Sequence, residues 1–99
     1  MTEREQVLLD DTRLAVYSRA GWKCEVCGTP LSLVAHPQLA HRIPQNTRNL
    51  VRYGKRVIHH ELNLAATCCL ACNAAADIKN QGSKIALLVQ KIRHSLGEI

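Results

Sequence analysis

The chain has 99 residues, 46% of them hydrophobic and 21% charged, the composition of a single globular domain over 1–99; disordered and collagen-like chains are excluded. A domain this short hides only about two-thirds of its surface on folding, so a staple such as a metal or a disulfide adds much to it. Thirteen Lys and Arg against eight Asp and Glu leave a net charge of +5, and no apolar run approaches the roughly 18 residues of a membrane span.

The N-terminus, MTEREQVLLDD, is acidic where a secretory signal would be basic and then apolar, so a cytoplasmic setting is expected. Residues 3–20 read as a helix: Leu9, Val16 and Ala20, with Val7, Leu14 and Tyr17 beside them, form a broad apolar stripe. Glu3, Glu5, Asp10 and Asp11 place negative charge toward the positive end of its dipole, and Gly21 is positioned to end it. Cys24-Glu-Val-Cys27-Gly28 is a CxxC knuckle, followed by turn chemistry at Gly28-Thr29-Pro30. Residues 31–34 and 39–43 are short strand candidates, interrupted by Pro37 and stopped by Pro44. Residues 45–56 are polar and basic and read as a loop. Val57 and Ile58 open an extended piece toward Asn63 and Leu64, and an alanine-rich helix is expected over 73–79. The last helix, 83–96, is the clearest. Ser83 can cap it, Ile85, Leu88, Val89, Ile92 and Leu96 share one face, and Gly97 ends it. Two short strands with flanking helices make a small α+β domain.

Five cysteines in an odd set, with no secretory signal, argue against a disulfide framework. Cys24 and Cys27 form one pair; Cys68, Cys69 and Cys72 contain a second. Two pairs supply the four thiolates of a tetrahedral structural Zn²⁺ site, with reduced, buried cysteines as the plainer alternative. Either Cys68 or Cys69 can complete the second pair, Cys69 giving the more usual two-residue gap. The cysteine left over is expected to be a small buried hydrophobe.

Charge is unevenly distributed. Residues 26–60 carry Arg42, Arg48, Arg52, Lys55 and Arg56 with no acid at all, the electrostatic footprint of a surface that meets phosphates, or simply a solvated basic face. Three aromatics, Tyr17, Trp22 and Tyr53, are too few for stacking on single-stranded bases to dominate. No recognition helix announces itself.

Between the cysteine pairs lie Ala40-His41-Arg42-Ile43-Pro44 and Asn63-Leu64, and Asn73 directly follows the last cysteine. The order CxxC, A-H-x-I-P, N-L, then a cysteine pair followed by Asn resembles a zinc-knuckled HNH endonuclease domain over about 19–79. The resemblance implies a ββα-metal, treble-clef-like fold with flanking N- and C-terminal helices, and a divalent ion such as Mg²⁺, Mn²⁺ or Ni²⁺ held against the scissile phosphate of DNA, expected to be double-stranded. It implies His41 as general base, Asn63 as the brace of the loop that carries it, Asn73 as a ligand of the ion, and products with a 5′-phosphate and a 3′-hydroxyl. A neutral imidazole can take a proton from water near pH 7. His41 could also be structural, Asn63 a turn residue and Asn73 a helix cap. His36, His59 and His60 are read as solvated or structural. Many members carry an Asp or His ligand where this chain has Ala40, which coordinates nothing. A zinc-stabilised nucleic-acid-binding module that has lost cleavage is therefore the rival reading, with a zinc-clipped protein-interaction domain as a third. The small size points to targeting by a partner or by homodimerisation.

Overall fold

The computed structural model describes the backbone of residues 3–98 and the side chains of residues 10–98. Helix α1, Glu3–Arg19, runs as the sequence predicts. Val16 and Tyr17 are buried, whereas Leu14, placed on the same stripe, is 55% exposed; Val7 and Leu9 have side chains outside the described residues. Gly21 ends the helix at φ 66°, and Trp22 follows in the same left-handed region at φ 59°. That conformation is open to glycine and unfavourable for a bulky residue. The Trp22 N–H donates to the Tyr17 carbonyl at 2.9 Å, and the two rings lie 5.8 Å apart.

The chain next makes the Cys24–Cys27 knuckle and returns through a Lys23–Pro30 bridge. Residues 31–34, expected as a strand, contain a 3₁₀ turn over Leu31–Leu33. A strand would put Leu31 and Leu33 on one face, but Leu31 is buried and Leu33 is 77% exposed. The first strand is instead β1, Gln38–His41.

The basic stretch read as a loop is helical. Helix α2, Thr47–Tyr53, begins where the Asn46 side chain accepts the Asn49 N–H; helix α3, Lys55–Ile58, restarts after Gly54 at φ 86°. Leu50, Tyr53 and Val57 stand at i, i+3 and i+7 and pack into the core, a helical period hidden among cations. Val57 and Ile58 are thus the buried end of a helix and not the start of an extended piece. A 3₁₀ turn at Glu61–Asn63 leads into β2, Leu64–Thr67, which pairs antiparallel with β1 in the register Gln38↔Thr67 to His41↔Leu64.

Helix α4, Leu70–Ala75, starts three residues earlier than predicted, with Cys69 at its N-cap. Helix α5, Gly82–Ser95, matches prediction in extent, but Gln81 precedes it and no side chain caps it. Ser83 therefore does not act as the cap. Gly97 ends it at φ 77°.

Two apolar clusters hold these pieces. Val16, Tyr17, Leu31, Leu64 and Ala66 join α1 to the sheet. Ile43, Val57, Ile58, Ile78, Leu88, Val89 and Ile92 join α3 to α5 around the chain that leaves β1. Between them, Arg19 at the end of α1 donates to the Leu64 carbonyl at 2.6 Å and the Glu61 carbonyl at 3.0 Å. Among the described residues, no helix is long and apolar enough to cross a membrane.

Candidate metal centre and active site

The knuckle is hung on β2 by backbone pairing: the Glu25 N–H donates to the Ala66 carbonyl at 2.9 Å, and the Glu25 carboxylate accepts the Ala66 N–H in return. Gly28 at φ 79° lets its N–H turn back to the Cys24 carbonyl at 2.9 Å. This pairing brings Cys24 and Cys27 to the C-terminal end of β2, where Cys68 and Cys72 flank the start of α4. The sulfurs of Cys24, Cys27, Cys68 and Cys72 all lie within 4.8 Å of one another.

The spacing fits a metal. Cys27 and Cys68 are 3.5 Å apart at Sγ, and Cys68 and Cys72 are 3.8 Å apart. Tetrahedral Zn–S bonds of about 2.3 Å require sulfurs about 3.8 Å apart, whereas a disulfide would bring them to about 2.05 Å. The fourth sulfur is thus that of Cys68, and the second pair has a three-residue gap. Cys69, expected to be buried if left over, is exposed, because the N-cap position turns it away from the sheet.

Four thiolates cannot all be charged at such separation without a cation. The Thr29 hydroxyl, 3.1 Å from the Cys27 sulfur, together with the Thr29 backbone, draws the Cys27 thiol down to about 6. Its neighbour Cys27, and then burial, push Cys68 up to about 11. Burial, then Cys27, raises Cys72 further. Burial opposes ionisation of Cys24, yet backbone hydrogen bonds at Cys27, Val26 and Cys68 bring it below its ordinary value. Ionisation is therefore favoured on the first knuckle, and a divalent ion held by Cys24, Cys27, Cys68 and Cys72 would supply the countercharge that lets all four sulfurs ionise.

The second constellation is built around Asn63, which is fully buried. Its Oδ1 accepts the Ile43 N–H at 2.8 Å, and its Nδ2 donates to the carbonyls of Ile58 at 2.8 Å and Ile43 at 3.2 Å. One side chain thus ties the chain leaving β1 to the end of α3. The backbone adds a fourth hydrogen bond, Arg42 N–H to the Asn63 carbonyl at 2.8 Å. Replacing Asn63 by Ala would strand three buried backbone groups, each worth about 1–3 kcal/mol. Urea denaturation of Asn63→Ala is expected to show a loss of about 3 kcal/mol or more with zinc content retained; a loss below about 1 kcal/mol would leave the brace without energetic weight.

His41, half-buried at the end of β1, is held on the outside of this brace. Its Nε2 lies 3.3 Å from Nδ1 of His59 at the end of α3, with the rings edge to face at 5.4 Å. Burial, and then the neighbouring His59, hold His41 below the usual imidazole range. Sequence reasoning set His59 aside. The signal available was the helical spacing of residues 50–57, which would have delivered His59 back toward β1. His60 has a turn role, accepting the Leu62 N–H at 3.1 Å.

Asn73 is not brought to His41. It lies inside α4, and its Nδ2 donates to Gln38 Oε1 at 3.2 Å, at the opposite end of β1. Ala40 is 1% exposed. Outside the cysteine cluster, the described residues bring no three His, Cys, Asp or Glu groups to one point. Resident Mg²⁺ is ordinarily held by one or two carboxylates, so the residues around Ala40 and Asn73 do not fit such an ion. The five basic residues expected at a phosphate surface, Arg42, Arg48, Arg52, Lys55 and Arg56, are all exposed. Arg52 lies over the Tyr53 ring at 5.4 Å, and Arg56 meets Glu98 at 3.7 Å.

The fold and site define a small α+β domain with a four-cysteine cluster able to hold a metal ion such as zinc. Comparison with family models, curated proteins and solved structures finds no match to this chain.

Proposed function

We propose that the chain is an HNH-type endonuclease domain of ββα-metal, treble-clef-like fold that hydrolyses phosphodiester bonds of double-stranded DNA, with structural zinc on Cys24, Cys27, Cys68 and Cys72. The observation that carries this reading is the Asn63 brace: a buried amide spends its hydrogen bonds on the two segments that flank His41 and His59. That is the role the resemblance assigns to this position. His41 is the general base. It is half-buried, neutral near pH 7 and open to water on one edge, so it can take the proton of an attacking water. The water oxygen bonds to phosphorus as the P–O3′ bond breaks, and the departing 3′ oxygen takes a proton from solvent, leaving a 5′-phosphate and a 3′-hydroxyl.

Ala40 favours a second reading, a zinc-stabilised nucleic-acid-binding module without cleavage. Its side chain is buried, so a carboxylate there would be desolvated as well as absent. Incubating the zinc-loaded protein with supercoiled plasmid and added Mg²⁺, Mn²⁺ or Ni²⁺ separates the two. Nicking that tracks the protein through purification is expected. A salt-sensitive gel shift with no nicking under any of the three ions would select the binding module.

A further inference from the structure

Helix α5 takes no part in the cysteine cluster or the His41 site, yet its charge is one-sided too. From Ile78 to Gly97 the chain contains Lys79, Lys84, Lys91 and Arg93 and no Asp or Glu. Leu88, Val89 and Ile92 bury its inner face. Its outer face runs between two open grooves. The first, of about 560 Å³, is lined by Arg42, Lys84, Leu87, Lys91 and His94 among others. The second, of about 590 Å³, includes Arg52, Tyr53, Lys79 and Arg93. No carboxylate lines either one, and Gln90 lines both, so it stands on the crest between them.

The cations come from separate parts of the chain. Arg42 follows β1, Arg52 belongs to α2, Lys79 precedes α5, and the rest lie on α5. Folding therefore assembles two cationic walls that no single stretch of sequence contains. Of the basic residues over 26–60, only Arg42 and Arg52 line these grooves.

We propose that α5 lies in the major groove of duplex DNA, its two flanks on the phosphates of the two strands and its crest, Gln90 and Leu87, at the base edges. The proposal rests on DNA being the partner. A helix carries side chains to a diameter of about 10–12 Å, and the major groove is about 12 Å wide. At about 1.5 Å per residue, the 14 residues of α5 reach roughly 21 Å. A helix set in the major groove has a phosphate strand on each side, so it needs cations on both flanks. A helix crossing one backbone needs them on one flank only. The crest has the right chemistry as well. A glutamine amide can donate and accept at adenine, and an apolar side chain can contact the thymine methyl. Leu87, 64% exposed, has no polar function for water to satisfy.

The test is fluorescence anisotropy of the zinc-loaded protein with labelled 20-base-pair duplexes, titrated with salt and without added divalent ions. Replacing Lys84 and Lys91 together by Gln should flatten the slope of log affinity against log salt by about two units. Arg48→Gln with Lys55→Gln, outside both grooves, should change it by less than about half a unit. Gln90→Ala should keep the wild-type slope and lose about tenfold in affinity for the sequence selected from a randomised duplex pool. An unchanged slope in the Lys84, Lys91 double variant, with wild-type binding intact, would overturn the α5 proposal and leave DNA as the partner. Wild-type protein that binds no duplex at low salt would remove the DNA reading itself. Zinc content measured in each variant keeps misfolding from passing as lost contact.

Discussion

Stripping the metal from the cysteine cluster is expected to unfold the domain. Purified protein should carry about one zinc per chain, and chelation should abolish the cooperative thermal transition, because the free energy of such a site is folding free energy, about 10–16 kcal/mol in zinc-finger peptides. A whole domain is stable by only about 5–15 kcal/mol. The route of the loss is visible in the contacts. The knuckle holds β2 through Glu25 and Ala66, and β2 supplies Leu64 and Ala66 to the cluster that seats α1. Without the ion, the crowded sulfurs must take up protons or separate, and the pairing that hangs on them goes with them. Serine at Cys24, Cys27, Cys68 or Cys72 should release the metal. Cys69→Ser should retain it, since that side chain is exposed and lies outside the cluster. An apo protein that unfolds with undiminished cooperativity would make the cluster a local ornament rather than the fold's staple.

The same cluster marks where the sequence was legible. Cysteine spacing identified both pairs but not the choice between Cys68 and Cys69, because that depends on where α4 begins. One residue of helix phase decides which sulfur faces the knuckle. Helices α1 and α5 were legible because an apolar face at helical period survives in any context. Residues 45–56 misled because four exposed cations and three amides surround Leu50 and Tyr53, and the apolar period is carried by too few positions to stand out. The strand candidate at residues 31–34 failed for the opposite reason: a stretch as short as Leu-Ser-Leu-Val fits a strand or a turn equally, and the turn that buries Leu31 alone is set by the knuckle before it. The pairing of β1 with β2 could not be read at all, since it joins segments more than twenty residues apart. At the candidate site, His41 and Asn63 were found by pattern and are neighbours in space. Asn73 was found by the same pattern and sits elsewhere, against Gln38.

Replacing His41 by Ala is expected to lower plasmid nicking by about 10²- to 10⁴-fold, the usual contribution of a general base, with zinc content and duplex binding unchanged. The pH profile carries a sharper test. A base acts when neutral. Burial and His59 hold His41 below the ordinary imidazole range, so the wild-type rate should stay level through neutral pH and fall only below about 6.5. His59→Ala removes the like-charge neighbour, raises the proton affinity of His41 and should move that acid limb to higher pH. Folding stability moves with the same sign. The unfolded imidazole takes its proton near pH 6.5 and the folded one resists it, so stability is lost as pH falls through that value, and His41→Ala should reduce the loss. The contact between the rings also selects an atom. When Nε2–H of His41 donates to His59 Nδ1 across their 3.3 Å separation, the lone pair left for water is on Nδ1 of His41. A His41→Ala variant with full activity would assign the cleavage to another group, and an acid limb that ignores His59→Ala would show that the two imidazoles do not share a proton's electrostatics at all.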